Sequence, residues 1–237
     1  MANAYGRVIL KISGEALAGD GKTFSHAAVE GVARMLTAVR QTGAELAVVI
    51  GGGNVWRGRR GEATRMGAVA ADQMGMLATL QNCLYMRDTL SGLNTPATVM
   101  TAVEIPRFAQ TYRADLARGA LASGQILLLA CGTGNPFFST DSAVVLRALE
   151  LECDVILLSK SVDGVYTADP AVDPAAELIR EATYEECARR NLKAMDTAAF
   201  VMLRDNRFPM VRLFSMKPAD NVLKVLAGDR MGTVLHP

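Results

Sequence analysis

The sequence predicts an α/β fold with a mainly parallel sheet covered by helices on both faces. Short apolar runs alternate with helix-patterned stretches of ten residues or more, the arrangement that buries a parallel sheet between two helical layers. Glycine-bearing turns follow three of the runs, at Ser13-Gly14, Gly51–Gly53 and Gly132–Gly134. Ligands of open α/β sheets sit beyond the carboxyl ends of the strands, so the three turns are expected to gather at one edge. Backbone N–H groups converging there read as a phosphate site.

Taken in order, Val8–Ile12 is a strand ended by Ser13-Gly14, and alternation sets Lys11 on the face opposite Leu10 and Ile12. Val29, Val32, Leu36 and Val39 recur at helical spacing between a Ser25 cap and a Gly43 stop. Leu46–Ile50 is a buried strand. A long helix over Val69–Ser91 carries Met74, Leu77, Leu80 and Leu84 on one stripe, and the methionines of Met66–Met76 read as core filler. Ala97–Thr101 is the next strand, Ala114–Ser123 a helix closed by Gly124, and the run from Gln125 to Ala130 another strand. The loop Cys131–Asp141 leads into a helix with Asp141 as its cap, running to about Glu152. Asp154–Leu158 is a strand, and Ser159–Arg180, with Asp163-Gly164, Asp169-Pro170 and Asp173-Pro174, reads as turns and a hairpin. Helices Tyr184–Arg190 and Thr197–Asn206 follow, the second capped by Asp196. A strand Met210–Phe214, a helix Pro218–Leu226 with proline at its first position, and a strand Thr233–Leu235 end the chain. No internal repeat or charged linker divides residues 1–237, which read as a single domain. The turn-rich stretch separates a half of about 1–158 from one of about 159–237 within one continuous sheet.

Charge points to neither nucleic acid nor membrane, since Lys plus Arg is 25 and Asp plus Glu is 24. No basic stretch followed by a long apolar run opens the chain, and no run approaches the ~20 apolar residues of a membrane span, so a cytoplasmic protein is expected. The four cysteines are far apart, with no CxxC, and read as free buried thiols. With only two histidines, neither beside a cysteine, a zinc site is not expected and no metal ligand set is assigned.

Gly21-Lys22-Thr23 has the ending of a Walker A loop, but Ala16 stands where that motif requires glycine, so Lys22 reads as a solvated loop lysine. No GxGxxG opens a βαβ unit either. The remaining motifs are Lys11–Gly14, Val49–Gly58, Asp72–Leu77, Thr133–Asp141 and Val162–Pro170. In order and spacing, from about Arg7 to Leu235, this set resembles the bacterial UMP kinases of the amino-acid kinase superfamily. The resemblance implies about eight strands between helical layers. It also implies a homohexamer in pyrimidine nucleotide biosynthesis that transfers the γ-phosphoryl of ATP, carried with Mg2+, to UMP. GTP activation and UTP inhibition belong to the family's repertoire; the Leu17–Phe24 loop, tied to the GTP response, varies in length among members.

By the same resemblance Lys11 and Asp141 are catalytic: Lys11 bridges the donor phosphates and Asp141 holds it in place. Phosphoryl transfer needs positioned cations and N–H donors more than a base, which suits Lys11 at a strand end. ATP falls to Lys11, Ile12, Ser13, Gly14, Gly53, Arg57, Tyr166 and Asp169, with Tyr166 by the adenine and Asp169 by its ribose. Arg57 offers a planar fork to phosphate, and Arg59, Arg60 and Arg65 form a basic rim. UMP falls to Gly52, Asp72 and the loop Thr133, Gly134, Asn135, Pro136, Phe137, Phe138, Ser139 and Thr140, with Asp72 accepting from the ribose hydroxyls and Thr140 near the base. Gly52 and Gly53 are expected to let backbone approach both nucleotides. Many members carry lysine where this chain has Leu158; here Lys160 stands two positions later, on the same face if the strand continues. Two other readings stay open: a non-catalytic nucleotide-binding or storage relative, and a superfamily kinase with another small acceptor.

Overall fold

The computed structural model describes residues 3–19, 21–57, 66–160, 162–168, 170–190, 192 and 194–237. The first half runs β1 (Arg7–Ile12), a 3-10 turn (Gly14–Leu17), α1 (His26–Gln41), β2 (Glu45–Ile50), α2 (Ala68–Gly92), β3 (Ala97–Thr101), β4 (Gln110–Thr111), α3 (Ala114–Ala122) and β5 (Ile126–Ala130). It continues with α4 (Thr140–Glu150), β6 (Val155–Lys160), β7 (Val165–Tyr166), β8 (Leu178–Ile179), β9 (Glu181–Thr183), α5 (Tyr184–Arg189), α6 (Thr197–Asp205), β10 (Val211–Ser215), α7 (Asn221–Leu226) and β11 (Thr233–His236).

Nine strands form one sheet in the order β4-β3-β5-β2-β1-β6-β10-β11-β9, and β7 and β8 pair as a separate hairpin. Neighbours in the large sheet are parallel except β10 and β11. β1 is central because it is apolar throughout except for Lys11 and the residue that opens it, Arg7. Its residues divide by alternation: Val8, Leu10 and Ile12 enter a core with α1, α2 and α7, whereas Ile9 enters a second core with α3, α4, α5 and α6. Each fully buried Leu or Ile in these cores contributes roughly 1.5–3 kcal/mol.

Three expectations about helices need correction. On α2 the buried residues are Ala71, Ala78, Thr79, Leu80, Asn82, Cys83, Met86 and Leu90, whereas Met74 and Leu77 are 42% and 44% exposed. Gly52 explains the shift: a Cβ there would stand 3.0 Å from Gly75 O, so small residues of α2 face the glycine turn and push the apolar stripe around the helix. Met66 is exposed too and fills no core. The cap of α4 is Ser139, whose hydroxyl accepts from the N–H groups of Asp141 and Ser142, so Asp141 lies inside the first turn. Finally, α7 begins at Asn221; Pro218 belongs to the preceding turn, where its carbonyl accepts from Asn221 N. The short strands β4 and β9 were unforeseen, giving nine strands in place of about eight.

Candidate active site

The carboxyl ends of β1, β2, β5 and β6 lie side by side at mid-sheet, and the turns that follow them build the site. Gly51 N donates to Ile12 O at 2.9 Å, so the first two turns touch directly. A Cβ on Gly14 would collide with Asn54 Oδ1 and with Gly51 O. Asn82, fully buried on α2, donates to Gly51 O at 2.6 Å and exchanges amide hydrogen bonds with Asn54 at 2.8 and 3.0 Å. The glycine turn is thus fixed from below before any ligand arrives. Ile12 has no exposed side-chain surface, which leaves its backbone as the part able to meet a ligand. The Ser13 hydroxyl donates to Glu15, whose carboxylate occupies the space beside Gly53, 2.5 Å from where a Cβ would be. That hydroxyl holds the Glu15 carboxyl below its usual range, and Arg57 and Lys11 act in the same direction. Gly52 is therefore required by its contact with the backbone of α2, whereas a Cβ at Gly53 would meet only the movable carboxylate of Glu15.

Lys11 and Asp141 meet at this edge. The ammonium stands 3.1 Å from Asp141 Oδ1, and both side chains are largely buried. The contact is an ion pair without aligned hydrogen-bond geometry, since Oδ1 has no hydrogen-bond partner. The other oxygen, Oδ2, faces Lys160 Nζ at 4.0 Å. β6 continues to Lys160, which pairs in register with Ser215, so Lys160 keeps the face that alternation gave it. Leu158, paired with Lys11, is fully buried. Burial pushes the Lys160 pKa down; Asp141 opposes that shift and Lys11 adds to it.

The third turn is held by unusual backbone. Cys131, Gly132, Gly134 and Phe137 have φ of 63°, 59°, 81° and 73°. At Gly134 a Cβ would lie 3.0 Å from Ala102 O, so both space and φ demand glycine. Asp72, from the first turn and a half of α2, accepts from Phe137 N at 2.7 Å and ties the loop across the site. Strained non-glycine φ values at Cys131 and Phe137 are the kind that binding loops retain.

Two cavities open near the Lys11–Asp141–Lys160 group, one reaching Thr140, the neighbour of Asp141, and the other reaching Lys160. One, of about 430 Å³, is lined by Gly52, Gly53, Trp56, Arg57, Asp72, Thr133, Asn135, Phe138, Ser139 and Thr140, among others. The other, of about 560 Å³, is lined by Lys160, Gly164, Tyr166, Arg190, Leu192 and Leu213, among others. Most of the expected UMP residues thus share one wall. Gly134, Pro136 and Phe137 are not part of it, and Phe137 is 66% exposed. Gly53 and Arg57, expected with ATP, line the cavity of Asp72, whereas Tyr166 lines the other. Asp169, Gly58 and the rim residues Arg59, Arg60 and Arg65 lie outside the described residues. The sequence reading missed Asn82 and Glu15, and gave Asp196 only as the cap of its own helix. An amide inside an apolar helix and a carboxylate just after a glycine turn were the local signals of these two.

Comparison with known proteins adds the following. Residues 6–211 match the model of the amino acid kinase family. The chain is 42% identical over 234 residues to the uridylate kinase of Pediococcus pentosaceus, covering 98% of this chain and 97% of that one. It is 41% identical to the uridylate kinase of Azorhizobium caulinodans, covering 98% of each. Among solved structures, it superposes on UMP kinase from Bacillus anthracis with a TM-score of 0.93 at 34% identity, covering 98% and 96% of the chains. UMP kinase from Ureaplasma parvum gives 0.91 at 29%, covering 98% and 99%.

Proposed function

The chain belongs to the amino acid kinase family, and from that premise we propose that it is a UMP kinase, transferring the γ-phosphoryl of ATP to UMP to give UDP and ADP. The observation that carries the chemistry is Asp141 set between two lysines, with Lys160 lining one cavity and Thr140, beside Asp141, lining the other. A phosphoryl group passing from one cavity to the other crosses beside two ammonium groups that the protein already holds in place. Preorganised cations stabilise charge on the equatorial oxygens without reorganisation during transfer.

In this reading UMP occupies the cavity of Asp72 and Thr140, and ATP that of Tyr166, with Asp169 completing the nucleotide side. Lys11 and Lys160 bind the phosphates, and Asp141 orients both lysines. Ser13 and Gly14 add hydroxyl and N–H donors, and Arg57 offers its guanidinium to a phosphate from the UMP side. Residues 1–158 and 159–237 act as acceptor and nucleotide halves of one domain, meeting along β6. Mg2+ would come with ATP; Asp141 is the carboxylate that would face it, and the ion's charge would offset that of the phosphates. The assembly is proposed as a homohexamer, with GTP and UTP as effectors, in pyrimidine nucleotide synthesis in the cytoplasm. Among the described residues no helix is long and apolar enough to cross a membrane. The proposal is tested by ADP release: ATP with UMP must yield equal amounts of ADP and UDP, and a storage relative would yield neither.

A further inference from the structure

We infer that Asp196 is a positioning residue for phosphoryl transfer, acting through Ser139 on the first turn of α4; this deepens the UMP kinase reading and rests on it. Asp196 caps α6, where its Oδ1 accepts from Ala199 N at 2.7 Å. The same carboxylate reaches across to α4. Its Oδ2 accepts from the Ser139 hydroxyl, and both oxygens accept from the Ser142 hydroxyl at 3.0 and 3.1 Å. Ser139 is in turn the cap of α4, with its oxygen 3.0 Å from Asp141 N and 3.3 Å from Ser142 N.

A serine hydroxyl has one proton and two lone pairs. By accepting the hydrogen bond from that O–H, Asp196 turns the lone pairs of Ser139 towards the two N–H groups and fixes the hydroxyl in the orientation that caps the helix. Asp141 is the residue whose N–H is held, and its carboxylate pairs with Lys11 and faces Lys160. Asp196 lines neither cavity, so it acts only through the residues it holds. It also links the two halves of the chain, because α6 belongs to the second half and α4 to the first. The negative charge sits favourably near the N-termini of both helices.

The substitution Asp196→Asn separates positioning from support. Asparagine still caps α6 through Oδ1, but places an NH2 group against the Ser139 hydroxyl and reverses that hydrogen bond. UDP formation is measured for the full-length wild type, Asp196→Asn, Ser139→Ala and the double variant, well below each unfolding midpoint. We expect Asp196→Asn to lower kcat about 10- to 100-fold, as a misplaced reacting group does, with KM for ATP changed less than about threefold. The double variant should lose no more than about twofold beyond Asp196→Asn alone, because both changes break one linkage. Wild-type kcat in Asp196→Asn, losses that multiply in the double variant, or a kcat loss accounted for by unfolded protein would overturn the inference. Failure of the wild type to form UDP would overturn the UMP kinase reading itself, and this inference with it.

Discussion

Lys160 reaches Asp141: its ammonium lies 4.0 Å from Oδ2, while that of Lys11 stands 3.1 Å from Oδ1. The strand therefore does not stop at Leu158, and a lysine two residues further along the same face arrives at the same carboxylate. Lys160→Met should lower kcat about 100-fold, the scale of one lost electrostatic donor, while the KM for ATP moves less. Lys160→Arg should retain more activity than Met. Steady-state kinetics at varied ATP decide this, and a change confined to KM would assign Lys160 to nucleotide binding alone. Restoring lysine at position 158 is a poor rescue, because Leu158 is fully buried and a charge there costs several kcal/mol.

Lys11→Ala should leave a folded protein with kcat lower by about two to three orders of magnitude, roughly 3–4 kcal/mol of transition-state stabilisation. The variant removes one partner of a largely buried pair, so its circular dichroism and unfolding midpoint must be read beside its turnover. Normal turnover in a folded variant would remove Lys11 from the mechanism.

Asp72→Asn should weaken UMP by about 1.5–3 kcal/mol, the worth of hydrogen bonds to a charged group, and leave ATP nearly unchanged. Asparagine can still accept from Phe137 N through its remaining oxygen, so the loop keeps its tie. Calorimetric titration with each nucleotide separates the two affinities; equal losses would mean that Asp72 serves the loop and not the sugar.

All four cysteines are buried and free. Burial pushes Cys131 and Cys187 up to about 11 and Cys153 up to about 12, from an ordinary value of 9.0, and Cys83 further in the same direction. Folded thiols with raised pKa values hold protons that the unfolded chain releases. Stability is thus undiminished below pH 9 and falls as pH rises from 9.0 towards 11. Denaturant midpoints at pH 8, 9 and 10 should decline in that order. At pH 8 a thiol reagent should modify none of the four until denaturant is added; rapid modification of a native thiol would show that it is accessible.

The Lys11–Asp141 contact expected from the resemblance is found in the fold, where one partner sits near the end of an apolar strand and the other in the first turn of a helix. Periodicity placed those elements, and the α/β alternation brought their ends together. The cap was misread because Ser139, Thr140 and Asp141 all have capping side chains, and only the hydrogen bond from Asp141 N to Ser139 distinguishes them. The stripe on α2 failed for a tertiary reason: close approach of Gly52 to Gly75 selects small residues at the interface over large apolar ones. Pro218 offered a helix start that the chain does not use, since the helical bonds begin three residues later. β4 and β9, of two and three residues, are too short to carry a period. Asp196 was visible as a cap for its own helix, but its grip on α4, 54 residues away at Ser142, exists only in the fold.

The measurement that bears most directly on function is an acceptor panel with ATP, comparing UMP, CMP, dUMP and N-acetylglutamate and following ADP together with the phosphorylated product. UMP kinase activity predicts UDP and ADP in equal amounts from UMP. CMP and N-acetylglutamate should give no product above background, and dUMP should be slower by about tenfold or more through loss of a hydrogen bond to the charged Asp72. ADP formed with N-acetylglutamate but not with UMP, or with none of the four, would contradict the account.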